Sequence, residues 1–383
     1  MIKLVHFIHG LNTGGAETLV KNYALLLDKS KFDLTIVCHE RLGSPYEDIL
    51  KEAGVSVIYV SDEIKAWGKK NLFSKICNRI VLYIKIRRHI KKLNPDILHY
   101  HLTLTPYLCF ARLSKRCAIL LTVHSDPHRL WFSGIKGRQK DFKCVQYLLR
   151  HYNMYLIALH EGMKQELMQL FHTNNVLQLN NGIDLDVFHK LIDFAEKRKA
   201  LCIPQNAFVV VHVGRFDPVK NHDYLLRIFC EVKKIKQNAF LLMVGNGKLK
   251  QVIQHDIESL GLQESTMILS DRTDVPEILQ ASDAALFPSF IEGLGIAVIE
   301  MQAAGLPCVV SDGVPKSAMV TNKIRFLSLQ ESPEEWARQL LDLVMDNEPI
   351  KYYGLEKWNM RDIVKDLEAI YEKVSENGRK QNR

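Results

Sequence analysis

The sequence predicts two α/β domains, each built on a doubly wound parallel sheet. Short apolar segments alternate with longer amphipathic ones along the chain, which is typical of strand–helix–strand units. The alternation breaks near the turn Asn180-Asn181-Gly182 and restarts at Phe208. With 383 residues, the chain is too long for one ordinary core and fits two domains of somewhat under about 200 residues each.

The elements follow from the apolar pattern in chain order. The predicted strands of the first half are Lys3–Ile8, Leu34–Val37, Val55–Val60, Ile97–His99, Ala118–Val123 and Tyr155–Ala158. Those of the second half are Phe208–Val213, Phe240–Val244, Thr266–Leu269, Ala284–Phe287 and Cys308–Val310. Helical patterns lie between them, including Glu17–Leu27 and Tyr46–Ala53.

We place the domains at residues 1–185 and 186–355. The charged segment Asp193–Ala200 falls in the joining region, residues 182–200. Apolar residues recur at helical spacing within Trp358–Val374, so an amphipathic helix is expected there. We expect residues 356–383 to pack back on the N-terminal domain.

Composition excludes several classes of protein. No apolar run approaches the roughly 18 residues of a membrane span, and the N-terminus lacks a signal-peptide pattern, so a cytoplasmic location is expected. The net charge of +8 is uneven: residues 1–190 carry +11 and residues 191–383 carry −3. A basic first half predicts an anionic partner on that side, and no nucleic-acid-binding motif accompanies it.

Three loops that follow predicted strands carry candidate chemistry. Gly10–Glu17 opens a helix, whose N-terminal amides suit an anion, although a plain strand-to-helix turn explains this loop as well. Gly214–Asn221 places Arg215 and Lys220 where two cations could neutralise a diphosphate; a solvated basic loop is the alternative.

The third loop, Pro288–Gly295, leads into a helix over Ile296–Ala304. Glu292 precedes this helix, and Glu300 lies eight residues further on. At helical rise that is ~12 Å, which suits two ends of one long ligand better than a pair of catalytic carboxylates. An ordinary surface glutamate is the alternative for Glu300, but its neighbours are apolar.

Together these motifs resemble the family-four retaining glycosyltransferases of the GT-B group, over nearly the whole chain. The matching segments are Gly14–Glu17, Asn181–Asp184, Gly214-Arg215 with Lys220-Asn221, Gly245–Gly247, Asp274–Pro276, and Pro288-Ser289 with Glu292-Gly293 and Glu300. Val309–Lys316 is similar to the subgroup that builds bacterial capsular or exopolysaccharide. The resemblance implies two Rossmann-like domains facing a central cleft.

The resemblance also implies roles for individual residues. Arg215 and Lys220 bind the donor diphosphate, Glu292 contacts the transferred sugar, Glu300 holds the ribose, and His124 lies near the reactive carbon. The implied catalytic set is His124, Arg215, Lys220 and Glu292. The implied donor-binding set is Gly14, Gly15, Gly214, Arg215, Lys220, Gly245, Arg272, Glu292, Gly293, Leu294, Gly295 and Glu300. The acceptor side is assigned Asn12, Thr13 and Glu17.

The donor is expected to be a nucleotide sugar, UDP-linked by resemblance, and the acceptor a glycan or a lipid-linked sugar. No other cofactor is expected. No metal is expected either, since Asp184-Leu185-Asp186 follows Asn-Gly-Ile at the domain junction and is better explained as a turn or a helix cap than as a D-x-D metal motif. Relatives often carry Gly at Asp271, Ser at His160 and Glu at Ser317, so these positions depart from the pattern.

Two other functions remain open at this point. A nucleotide-sugar epimerase on the same fold would bind the same donor but needs acid and base residues instead of an acceptor groove. A catalytically inactive partner of another transferase is the second alternative, and the presence of Arg215, Lys220, Glu292 and Glu300 argues against it.

Residues 69–92 contain nine Lys and Arg and no Asp or Glu, interleaved with apolar residues. Such a basic, partly amphipathic helix suits an anionic lipid surface. The alternative is a domain helix whose apolar stripe packs on the sheet while its charges face water. We expect reversible docking to the inner face of the cell membrane.

Overall fold

The computed structural model describes residues 1–65, 71–135, 137–190 and 192–380. It divides into two compact units: unit 1 comprises residues 1–181 and 361–383, and unit 2 comprises residues 182–360. The chain therefore changes units at 181/182 and 360/361, where the sequence suggested 185/186 and 355/356.

Unit 1 is built on a seven-stranded parallel sheet in the order β3-β2-β1-β4-β5-β6-β7. Its strands are β1 Ile2–Ile8, β2 Phe32–Cys38, β3 Ser56–Tyr59, β4 Ile97–His101, β5 Ala118–Thr122, β6 Met154–Ala158 and β7 Val176–Gln178. Its helices are α1 Gly15–Leu26, α2 Pro45–Glu52, α3 Leu72–Leu93, α4 Thr105–Ala111, α5 Pro127–Phe132, α6 Arg138–His151 and α7 Glu161–Phe171.

Unit 2 contains a six-stranded parallel sheet in the order β10-β9-β8-β11-β12-β13. Its strands are β8 Phe208–Val213, β9 Ala239–Val244, β10 Thr266–Leu269, β11 Ala284–Phe287, β12 Cys308–Ser311 and β13 Ile324–Leu327. Its helices are α8 Leu185–His189, α9 Phe194–Ala200, α10 His222–Ile235, α11 Lys250–Ser259, α12 Val275–Gln280, α13 Ile296–Ala303 and α14 Pro333–Met345. Helix α15, Met360–Lys380, begins at the boundary and returns to unit 1.

Both sheets are buried because helices cover their two faces, as parallel sheets require. The strands β4 and β5 are buried along their whole length, and so are β9, β11 and β12. Helix α15 packs on unit 1 through named contacts: Glu368 accepts from the Asp28 amide at 2.7 Å, and Glu372 pairs with Lys31 at 3.0 Å.

The charged segment at residues 193–200 is not a linker, contrary to the sequence interpretation. Asp193 caps α9, and the Arg198 side chain is buried. Its guanidinium donates to the carbonyls of Ala281 and Ala207 and pairs with Asp283 at 2.9 Å. Several acceptors satisfy this buried cation, so the segment is an integral part of unit 2.

Helix α3 has two rows of apolar residues, whereas the alternative of a plain domain helix assumed a single stripe packed on the sheet. Leu82, Ile86 and Ile90 are buried, whereas Ile76, Ile80 and Ile84 are each more than half exposed. Lys69 and Lys70 of the basic segment lie outside the described residues. Among the described residues, no helix is both long and apolar enough to cross a bilayer.

Candidate active site

The strand order of unit 2 creates a switch point between β8 and β11. The chain continues from β8 to β9 and β10 on one side of β8, and then crosses to β11 on the other side. The carboxyl ends of β8 and β11 therefore flank a crevice of the kind in which open α/β sheets bind ligands. Lys220 follows β8 and Glu292 follows β11. The Lys220 Nζ and Glu292 Oε1 atoms lie 2.7 Å apart, which joins two predicted site residues that are 72 positions apart in sequence.

The Lys220–Glu292 pair is held in a largely dry environment. The two side chains are 17% and 13% exposed, and the Lys220 ammonium lies 4.6 Å from the centroid of the Phe287 ring. A Cβ on Gly214 would come within 3.2 Å of the Lys220 stem, so the glycine makes room for it. The pair is therefore a charged, preorganised group at the strand ends.

The glycines after β8 and β9 allow their backbones to touch. A Cβ on Gly245 would overlap the carbonyl of Gly214, and one on Gly247 would overlap the backbone of Phe216. The Gly214 amide donates to Val244 at 2.9 Å, and the Phe216 amide donates to Asn246 at 2.9 Å. Because of this contact, the loop carrying Arg215 is fixed to the one carrying Gly245.

The two predicted arginines of the site have carboxylate neighbours. Arg215 is 74% exposed and lies 3.1 Å from Asp217, so its guanidinium is accessible at the strand end. Arg272 donates to Asp274 at 2.7 Å, and Lys197 pairs with the same carboxylate at 2.6 Å. Burial raises the pKa of Asp274, but the two cations outweigh it and bring the pKa to about 2. Arg272 thus has a structural role beside any role in binding.

The loop Gly293-Leu294-Gly295 leads into α13 as predicted. Leu294 is buried, and Gly295 has a φ of +78°, a conformation that glycine adopts without strain. The first amides of α13 have no partner within the helix, so this end favours an anion. Glu300 lies on the second turn of α13 and is half-buried.

The glycine loop of unit 1 carries an internal carboxylate. Gly14 is the N-cap of α1, and a Cβ there would overlap the carboxylate of Glu17, which folds back over it. An acidic side chain therefore lies at the helix N-terminus where the resemblance implied donor binding by Gly14 and Gly15. Beside it, Asn12 is exposed and its side chain accepts from the Thr13 amide at 2.8 Å.

His124 follows β5 and is half-buried. Its Nε2 lies 3.0 Å from Nδ1 of His101, which is fully buried on β4. Burial lowers the pKa of His124 to about 4, so the imidazole is neutral near pH 7. A neutral imidazole has one donor and one acceptor nitrogen.

Two of the departures from the family pattern now have physical explanations. Asp271 has a φ of +55°, in the left-handed region that glycine favours and aspartate tolerates. His160 is the N-cap of α7, and its side chain accepts from the Met163 amide at 3.1 Å, as a serine would. Ser317 is exposed in a short 3₁₀ turn, and nothing in the structure explains its substitution.

Asp184 is a helix cap, as predicted. It is the N-cap of α8, and its side chain accepts from the Asp186 amide at 3.2 Å. The capping of α8 therefore gives the Asp184-Leu185-Asp186 segment a structural role within unit 2.

Sequence reasoning missed a cluster of buried histidines in unit 1. His6 lies on β1, and His99 and His101 lie on β4. His6 and His99 each hydrogen-bond to the Tyr371 hydroxyl of α15, and His101 hydrogen-bonds to His6. The signal was present in the alternation, because His99 and His101 are two residues apart and must share one face of the strand.

The two halves of the chain match two family models. Residues 13–187 match "Glycosyltransferase Family 4", and residues 193–356 match "Glycosyl transferases group 1". The chain is a GT-B glycosyltransferase with a family-four N-terminal domain. Each sheet described above thus corresponds to one of the two domains of this glycosyltransferase architecture.

Curated relatives span most of the glycosyltransferase. A UDP-Gal:alpha-D-GlcNAc-diphosphoundecaprenol alpha-1,3-galactosyltransferase of Escherichia coli is 28% identical over 78% of this chain and 76% of its own length. The capsular polysaccharide biosynthesis glycosyltransferase CapH of Staphylococcus aureus is 23% identical over 97% of this chain and 99% of its own. Among solved structures, Anabaena HepE in complex with UDP and glucose has a TM-score of 0.69, 16% identity and coverage of 98% and 99% of the two chains.

Proposed function

We propose that this glycosyltransferase transfers a sugar from a UDP-linked donor, with retention of configuration, to a lipid-linked or glycan acceptor in the synthesis of a bacterial surface polysaccharide. The observation that carries the proposal is the Lys220–Glu292 pair at the switch point of unit 2. It is supported by the donor and acceptor in the name of the Escherichia coli relative and by the UDP complex of HepE.

Cleavage of the bond between sugar and diphosphate develops negative charge on the leaving phosphate. Cationic side chains and helix N-termini that face this charge in a water-poor site lower the barrier most effectively. Lys220, Arg215 and the first amides of α13 have this chemistry, and all belong to strand-end loops of unit 2. Glu292 holds the Lys220 ammonium in place and, by resemblance, contacts the sugar.

The proposed step is a same-face displacement. The leaving phosphate oxygen accepts the proton of the acceptor hydroxyl while the hydroxyl oxygen forms its bond to the anomeric carbon. The bond to the leaving phosphate breaks as the new glycosidic bond forms, so the step needs no carboxylate nucleophile on the protein. Retention would be checked by NMR of the new glycosidic linkage.

We expect a UDP-sugar to stabilise the protein more than the corresponding GDP-sugar. At 100 times its Kd, a bound donor adds about 2.7 kcal/mol to the free energy of unfolding. Thermal unfolding across a panel of UDP- and GDP-sugars measures this, and radiolabelled transfer to a lipid-linked acceptor identifies the product. An epimerised donor without a glycoside product would instead support the epimerase alternative.

Donor turnover is expected to persist in EDTA. Two cations and a helix terminus already provide positive charge for the diphosphate, and Asp184 caps a helix. Initial rates are measured with EDTA and with added Mg²⁺ or Mn²⁺. Loss of activity in EDTA that Mn²⁺ restores would show that the diphosphate requires a metal.

We further propose that the enzyme works at the cytosolic face of the membrane and docks there through α3. The exposed face of this helix, here called the α3 face, consists of Leu72, Phe73, Ile76, Ile80 and Ile84 with the exposed cations Lys75, Arg79 and Arg88. Leu72 and Phe73 are 75% and 78% exposed. Apolar side chains bordered by cations match the chemistry of an anionic lipid surface.

The α3 face continues onto the neighbouring helix. Phe110 of α4 is exposed, its ring packs edge-on against Tyr83 with centroids 5.5 Å apart, and the Arg87 guanidinium lies over it at 5.5 Å. Large apolar residues exposed together in this way mark an interaction surface more often than scattered ones do. The basic excess of the first half favours an anionic partner over a neutral one.

A further inference from the structure

Six side chains of unit 1 form one unbranched chain of hydrogen bonds, here called the histidine chain. Its members, in order, are Thr122, His99, Tyr371, His6, His101 and His124. The five consecutive donor–acceptor distances are 2.7, 2.7, 2.9, 3.2 and 3.0 Å. The chain connects the C-terminal helix α15 to the predicted site residue His124.

The fold brings these groups together. The register pairs His6 of β1 with His99 of β4, and His101 of β4 with Thr122 of β5. Helix α15 covers them and contributes the Tyr371 hydroxyl. All members are buried except His124, which is half-buried at the end of the chain.

The members of the chain are uncharged near pH 7. Burial lowers the pKa of His6 to about 3 and that of His124 to about 4, and it also lowers the pKa of His99 and His101. Burial raises the pKa of Tyr371. Each imidazole therefore has one N–H and one lone pair, so the direction of any single hydrogen bond sets the direction of the next.

One direction satisfies every buried member of the chain. The Thr122 hydroxyl donates to Nε2 of His99, whose Nδ1–H donates to the Tyr371 oxygen, and the Tyr371 hydroxyl donates to Nε2 of His6. Nδ1–H of His6 then donates to Nε2 of His101, and Nδ1–H of His101 donates to Nε2 of His124. His124 is left with its proton on Nδ1.

The reverse direction is less favourable. It makes Thr122 an acceptor, and within the hydrogen bonds of the described residues no other acceptor receives the Thr122 proton. A buried donor without a partner has lost its hydrogen bonds to water and gained none in return, which destabilises that arrangement. The forward direction is therefore preferred.

We infer that the histidine chain fixes His124 as the Nδ1–H tautomer, so that it offers a hydrogen-bond donor to an oxygen of the transferred sugar, and that Tyr371 is a positioning residue. The sugar contact of His124 rests on the proposed function, whereas the tautomer does not. Leu102, next to His101, has a φ of +65°, a strained conformation for leucine that fits a functionally shaped end of β4.

A metal is the competing explanation for the cluster. One nitrogen from each of His6, His99 and His101 lies within 4.8 Å of the others. However, both ring nitrogens of all three residues already belong to the chain, and a bound cation would have to break it.

The test is the tautomer of His124 in the full chain, measured by two-bond ¹H–¹⁵N correlation with ¹⁵N-histidine and assigned with His124→Asn. We expect Nδ1 protonated and Nε2 unprotonated in the wild type. Tyr371→Phe cuts the chain between His99 and His6, so His124 should become a mixture of tautomers and kcat should fall about fivefold, the equivalent of one net hydrogen bond.

Thr122→Val removes the donor that sets the direction of the hydrogen bonds, so it should give a similar mixture of His124 tautomers. This variant replaces Tyr371→Phe as the test if Tyr371→Phe folds poorly. Tyr23→Phe is the matched control, since Tyr23 is buried with its ring centroid 6.1 Å from that of His6 but is not a member of the chain. It should leave the tautomer and kcat unchanged.

An Nε2–H tautomer in the wild type would overturn the inference, as would an unchanged tautomer in Tyr371→Phe or a stoichiometric metal in the purified protein. If no donor is turned over but the tautomer is as expected, the proposed function fails while the assignment of Tyr371 stands.

Discussion

Donor turnover is expected to fall about 10²–10³-fold when Lys220 is replaced by Ala. The loss of a charge-assisted contact to a developing anion costs roughly 3–4 kcal/mol of transition-state stabilisation. The effect should appear mainly in kcat, because the charge on the leaving phosphate grows as the bond breaks. Steady-state kinetics with the preferred UDP-sugar measures it.

The control for Lys220→Ala must separate catalysis from stability. The substitution leaves the Glu292 carboxylate largely buried without its ammonium, which also destabilises unit 2. Lys323 provides a comparison away from the switch point: it is 5% exposed, pairs with Asp346 at 2.8 Å and directly precedes β13, an edge strand of the sheet. Lys323→Ala should lower thermal stability and preserve kcat.

Arg215→Ala should also impair turnover, with a smaller change in stability. The Arg215 side chain is exposed in its ion pair with Asp217, and ion pairs at the surface contribute about 0–1 kcal/mol to folding. Arg227→Ala removes a comparably exposed arginine, which pairs with Asp223 at 2.9 Å, and serves as the control. Near-normal turnover in both Lys220→Ala and Arg215→Ala would mean that the diphosphate binds elsewhere.

The sequence was sufficient to predict the layered fold, because parallel strands are buried on both faces and read as continuous apolar runs. Every predicted strand is present, with ends shifted by at most two residues. β7 and β13 were missed. β7 has only three residues, and Arg325 interrupts the apolar pattern of β13, which lies at the edge of the sheet.

Contacts between distant residues could not be predicted. The sequence indicated that Lys220 and Glu292 follow strands, but their ion pair depends on which strands are neighbours. A charged residue such as Arg198 is usually exposed to solvent, yet the structure buries it and pairs it with hydrogen-bond acceptors from a distant loop. The histidine chain also needs Tyr371, which lies 272 positions from His99.

Helix α3 shows why periodicity alone was ambiguous. Its apolar residues form two rows, and both satisfy the spacing expected of a buried face. The structure distinguishes them, since one row packs against unit 1 and the other is exposed. The membrane proposal depends on this second row.

Unsubstituted protein is expected to float with vesicles of phosphatidylcholine and phosphatidylglycerol at low salt, and to remain at the bottom with phosphatidylcholine alone. Lys75→Glu with Arg79→Glu should weaken binding by at least about 30-fold, because each cation near an anionic surface contributes roughly 1 kcal/mol. Flotation at increasing salt checks the charge contribution, which should decline as the Debye length shortens.

Replacing Ile76, Ile80 and Ile84 together by serine tests the apolar part of the α3 face. These side chains are already more than half exposed, so the substitutions should leave the fold intact while removing their contact with the lipid. The matched control places serine at Ile235, Val252 and Leu260, three exposed apolar residues of unit 2, and should float like the wild type. If the wild type stays at the bottom with anionic vesicles, or if both triple variants float equally well, α3 does not dock to lipid. In that case the acceptor is better sought among soluble glycans.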